Sequence, residues 1–231
     1  MAGTVLGSEG FIVLTPPSVE PITLSDVKDW INVDFSDKDA LISKLITRAR
    51  RRAETLTGRA LASQQIQCTF PITRSQGGEL SGPIDHGPDW YQFNEQLGAN
   101  PFGAAMFYFD LPMAPIDVNQ AVLIETKVTA FENWSTFASG LPSALTANVW
   151  IDNNQEPARM YFSDPVTSNF WRFTYYAGYG SNTFPLPEDL AEALFELVAV
   201  WYDWRDGSAP ATQIQQIESK FLSRRISTAW I

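Results

Sequence analysis

The chain has 231 residues, 45% of them hydrophobic and 18% charged, enough apolar surface to offset the entropy of ordering a globular core. Its formal net charge of -10 argues against a broad phosphate-gripping surface, because such binding needs Lys and Arg to displace counterions. A single cysteine, Cys68, and a single histidine, His86, exclude an internal disulfide and a Cys/His zinc site within the chain, and no apolar run approaches the roughly 20 residues that cross a bilayer.

Residues 1–20 mix Gly, Ser, Thr and Pro around one apolar stretch, Phe11 to Leu14, and read as an extended arm. The start lacks the basic-then-apolar pattern of a signal peptide, so the expectation is a chain that stays in the cytoplasm. After Pro21, Thr23 and Asp26 resemble a capping box, and Leu24, Val27 and Ile31 repeat at helical spacing to about Asn32. Ser36 is the expected cap of a longer helix. Its apolar positions Leu41, Ile42, Leu45, Ile46, Ala49, Ala53 and Leu56 form one buried stripe, and Gly58 stops it. Arg48, Arg50, Arg51 and Arg52 fall inside this helix and are expected to be exposed or at an interface; Arg48, Arg51 and Arg52 project from the flank and back of the stripe.

From about Ser63 the pattern becomes alternation, as in Gln65 to Phe70. Further expected strands are Met106 to Asp110, Ala121 to Thr129, Asn148 to Ile151, Arg159 to Phe162 and Phe170 to Ala177, the last apolar on both faces and so expected to be buried on both sides. Gly77 to Gly103 reads as a long loop or insertion, and its Trp90 and Tyr91 suit contact with a neighbouring subunit. Phe131 to Ala147 reads as another wide loop. Pro187, Glu188 and Asp189 make a strong helix start, followed by an apolar face from Leu190 through Trp201 and Trp204, closed by Gly207. Ile214, Ile217 and Phe221 suggest a short amphipathic helix before Arg224, Arg225 and the terminal Ala229-Trp230-Ile231.

The fold class expected is α+β, a helical bundle formed by the two ends of the chain with a large β-rich insertion between them. The divisions are a 1–20 arm, a 21–62 helical part, a 63–185 β-rich insertion, a 186–207 last core helix and a 208–231 tail. The chemistry of catalysis is not written in it. His86 sits in a Gly/Pro-rich loop, no G-x-S-x-G elbow or phosphate loop occurs, and Glu188 and Asp189 are explained by the helix dipole. No cofactor or metal is expected, and the chain reads as not an enzyme. The aromatic residues of the β segment, Trp90, Trp134, Trp150, Trp171, Tyr175, Tyr176 and Tyr179, leave one alternative, a β module that binds carbohydrate; core and interface packing is the reading favoured for them.

Several segments, in order, resemble the head-tail connector family of long-tailed phages and gene transfer agents: Pro21-Ile22-Thr23-Leu24-Ser25-Asp26-Val27-Lys28, Asp37 to Ile42, and Ala49-Arg50 with Ala53-Glu54-Thr55-Leu56-Thr57-Gly58-Arg59-Ala60-Leu61. Leu111-Pro112-Met113-Ala114-Pro115-Ile116, Tyr175-Tyr176-Ala177-Gly178-Tyr179-Gly180 and Leu186 to Leu190 continue the series. The resemblance implies a virion neck protein, assembled in the host cytoplasm as a homo-oligomeric ring of about twelve copies. Such a ring lies below the portal protein, extends the DNA channel and joins the next neck or tail component, with DNA passing without specific binding and no membrane involved. On that implication Phe221, Arg224, Arg225 and Trp230 would dock on the portal, while Arg48, Arg51, Arg52, Trp90 and Tyr91 would lie between subunits. The tail from Thr212 to Ile231 is then expected to be loosely packed until docked.

Overall fold

The computed structural model describes residues 4–5, 10–71, 73–74, 80–81, 107–145, 149–153, 157–162, 168–180, 184–205, 208 and 210–226. His86, Trp90, Tyr91 and Trp230 lie outside the described residues, as does the Gly77 to Gly103 stretch apart from residues 80–81.

Helix α1 (Leu24–Trp30) starts as its sequence demands. The Thr23 hydroxyl accepts the Asp26 amide at 3.1 Å, satisfying one of the donors a first turn leaves free. Helix α2 (Asp39–Thr57) begins later than Ser36, with Lys38 in the cap position and no side-chain cap bond; the Ser36 carbonyl instead accepts the Asp39 amide. Gly58 ends it in the left-handed conformation, φ 68°, which costs glycine nothing. After the strands come α3 (Glu188–Asp203), with two acids in its first turn, and α4 (Ala211–Leu222). The apolar stripes of the early and late helices close on one another: Val27, Ile42, Leu45, Ile46, Ala49 and Ala53 share a cluster with Leu190, Ala193, Leu194, Leu197, Val198, Ile217 and Phe221.

Among the described residues the strands form three antiparallel sheets. The largest runs β1 (Thr4–Val5), β2 (Phe11–Thr15), β3 (Gln64–Pro71), β11 (Phe170–Ala177), β7 (Val122–Lys127), β8 (Ser135–Gly140). A second runs β6 (Phe107–Leu111), β10 (Ala158–Phe162), β9 (Val149–Asp152), and β4 (Thr73–Arg74) pairs with β5 (Leu80–Ser81). The first two sheets share a core in which Phe162 and Trp171 meet at 4.9 Å and Phe109 and Phe173 at 5.0 Å. The chain is therefore α+β, with one apolar cluster under the helices and another between sheets.

Three expectations need correction. Residues 11–15 are extended but not unattached: β2 pairs with β3, Phe11 opposite Cys68 and Val13 opposite Ile66, and both side chains are buried. The wide loop from Phe131 contains β8, an edge strand that buries only Ala138 and so carries no alternation to read. Strand β11 buries Trp171, Phe173, Tyr175 and Ala177 on one face; the other face buries only Thr174 and holds half-buried Phe170, Tyr176 and Arg172, the last ion-paired with Glu125 at 2.7 Å, where full burial on both sides was expected.

Candidate functional site

The segments that carry the family resemblance converge on one joint. Within α2, Arg50 is buried between two carboxylates, its Nε donating to Glu20 and its Nη1 to Glu54, each at 2.8 Å. The other Glu54 oxygen accepts the Leu61 amide and the Gln64 side chain, both at 3.1 Å. Burial pushes the Glu54 carboxyl up to about 7, with the Arg50 charge pulling the other way. Past the Gly58 turn, buried Arg59 donates to the Arg224 carbonyl at 2.7 Å and to the Tyr179 hydroxyl at 3.3 Å, and its backbone bridges Met113. The Tyr175 hydroxyl donates to the Pro112 carbonyl at 2.7 Å, and the Gly178 amide to the Pro115 carbonyl at 2.8 Å. Gly178 has φ +124° and lies against the Ala62 backbone, where a Cβ has no room. The arm, α2, the 111–116 turn, the end of β11 and the tail are thus tied together through charge and backbone hydrogen bonds. The spacing of Arg50 and Glu54, one helical turn apart, was the sequence signal for this pair.

Around the joint, the four arginines of α2 have four different fates. Arg50 is core, which corrects the expectation that the whole run is exposed or interfacial. Arg52 holds Glu218 of α4 with two bonds of 2.7 and 3.0 Å, so its acid is intramolecular. Arg48 is exposed, its guanidinium 4.4 Å over the Trp201 ring. Arg51 is exposed and has no side-chain partner among the described residues.

Residues 210–226 of the tail are packed rather than loose. Phe221 is fully buried in the helical cluster, so the chain itself covers it, and it offers no surface to a portal. Ile226 is buried in the β-sheet core and its amide donates to the Thr57 carbonyl at 2.8 Å. Arg224 is half exposed and reaches Asp189 at 2.7 Å, while Arg225 is exposed.

Most of the β-segment aromatics are accounted for by packing: Trp171, Tyr175 and Tyr179 are buried. Trp134 takes Arg172 at 4.3 Å and Lys127 at 4.8 Å on its ring, and the exposed Trp150 is stacked on Tyr161 at 5.1 Å, which leaves little of a carbohydrate platform. Cys68 is buried and its thiol is pushed up by burial, away from the thiolate that nucleophilic chemistry requires.

Residues 21–78 match the family model of the phage gp6-like head-tail connector protein. That segment is similar to a gp6-like head-tail connector. The matched segment takes in α1, α2 and β3, and with them the Arg50–Glu54 pair and the Arg59 turn. In fold, the chain is similar to a protein from the neck of an empty gene transfer agent particle solved with sixfold symmetry, at TM-score 0.58 and 16% identity over 94% of this chain and 96% of that one. A chain of the native gene transfer agent virion gives 0.57 and 18%, and one from the native neck solved with twelvefold symmetry gives 0.54 and 18%, each covering 94% of this chain and 96% of the other. The likeness of fold therefore extends beyond the matched segment to nearly the whole chain. No curated protein matches the chain in sequence.

Proposed function

We propose that this chain is a structural protein of a virion neck, a head-tail adaptor that assembles as a ring below the portal, extends the DNA channel and presents its far side to the next neck or tail component. The observation that carries this reading is the coincidence of two independent likenesses: a connector family model on α1 to β3, and neck proteins whose fold follows 94% of the chain. The residues suit that role. Their most elaborate polar network is a buried joint that fixes elements to one another, and a part that transmits contact between neighbours needs such rigidity more than it needs a reactive group. The portal protein and the downstream component are the partners of this reading. In it, residues 227–231, with Trp230, and the exposed Arg224 and Arg225 form the portal-facing end of the tail.

The reading is tested by imaging particle necks. A closed ring of this chain against the portal is the expected result. One or two copies per particle, or a position outside the neck, overturns it.

A further inference from the structure

A groove of about 400 Å3 runs between α1, α3 and α4, with Trp30, Glu196, Ala199, Asp203, Gln213 and Gln216 among its walls. Its chemistry suits a guanidinium. Trp30 is 49% exposed and held by stacking on Phe195 at 5.4 Å, so an aromatic face stands ready for a planar cation. Glu196 is already committed, with Lys220 at 2.7 Å from both its oxygens. Asp203 is exposed and has no ion-pair partner among the described residues, so its charge remains for a cation from outside. The two carboxamides add further acceptors.

The chain also carries the complementary surface. Lys44, Arg48 and Arg51 follow one another at steps of four and three on the exposed face of α2, and Arg51 is the arginine without a side-chain partner there. The two surfaces point apart. Arg48 lies over Trp201, whereas the groove is walled by Ala199 and Asp203, each two residues from Trp201 on α3. Two residues along a helix turn the side chain by about 200°. The basic face of α2 and the groove therefore flank opposite sides of α3. A ring closes through contacts between two different patches set on opposite sides of each copy.

We infer that the groove receives Arg51 from α2 of the next copy, the guanidinium lying on Trp30 and pairing with Asp203. This rests on the ring reading and specifies the contact that builds it. The test is a charge exchange followed by cross-linking, in the full-length chain and on the cognate portal. Arg51→Glu and Asp203→Arg each set like charges face to face and are expected to lower ring yield roughly tenfold or more, while the double exchange restores it. Melting curves of the free variants confirm that both fold. Arg51→Cys with Asp203→Cys, joined by a short bis-maleimide, is expected to give a ladder of covalent oligomers that neither single variant gives; buried Cys68 does not compete. If rings are seen on the portal but the double exchange does not restore them and no ladder forms, the contact is wrong while the ring reading stands. An Arg225→Cys with Asp203→Cys ladder in its place also overturns the choice of Arg51. If no ring forms on the portal with the unaltered chain, both fall together.

Discussion

Glu54 is the side chain on which the joint depends most, because one carboxylate serves a guanidinium, a backbone amide and a carboxamide while buried. Burial lifts its proton affinity from an ordinary 4.5 to about 7, so between those values the folded state holds the proton that the unfolded chain has lost. Its stabilising contribution is whole below about 4.5 and is lost as pH rises through 7. Comparing thermal unfolding of the unaltered chain and Glu54→Gln across that window should show the stability difference, unaltered minus variant, falling as pH rises. A difference that rises instead means the carboxylate, not the acid, is the favoured form. Gly178 gives a second test at this scale. An alanine there must hold φ +124° and push its Cβ into the Ala62 backbone, and Gly178→Ala is expected to cost about 3 kcal/mol or more, read from urea unfolding.

Among elements, α4 shows most clearly what a helix's own pattern tells and what it withholds. The spacing of Ile214, Ile217 and Phe221 says that one face is covered; it does not say by what, and a helix of 12 residues is too short to hold itself. The cover is α2 and α3 of the same chain, with Arg52–Glu218 and Lys220–Glu196 fastening the rim. Truncating Phe221 to alanine should therefore destabilise the free protein by about 3–5 kcal/mol in denaturant titrations, the cost of emptying a large aromatic site. An unchanged midpoint would return Phe221 to the docking surface. Local signals were legible for the same reason that α4's stripe was: the α2 stripe, the Thr23 cap, the Pro187 start and the alternation of β3 from Gln65 to Phe70 are all set within a few residues. Strand β8 was not, since an edge strand with one buried side chain leaves no period, and neither was the pairing of β2, which depends on β3 more than fifty residues on. The joint was visible only as separate motifs. Arg59 and Tyr179 stand 120 residues apart, and nothing local says that they touch.

For the whole molecule, the proposed ring raises the question of how a channel built from this chain would let DNA through. Sixteen Lys and Arg face twenty-six Asp and Glu, and the arrangement of the basic side chains matters more than their number. Arg50, Arg52, Arg172, Lys220 and Arg224 already hold carboxylates of their own chain, and in the proposed ring Arg51 holds one of the next copy. A cation committed to a carboxylate releases no counterion when a phosphate arrives, so it contributes little to binding duplex DNA. The net charge of -10 per copy adds repulsion that grows as copies close into a ring. The assembled protein should accordingly show only weak association with duplex DNA at low salt, with a shallow dependence of log affinity on log salt concentration. Freeing cations should change that: Glu218→Gln releases Arg52, and combined with Asp189→Asn, which releases Arg224, it should steepen the salt dependence by about one to two units. Titrating labelled duplex into the ring over a salt series measures both. Tight, steeply salt-sensitive binding by the unaltered ring would mean that the channel grips DNA, and the acidic balance would then need another explanation.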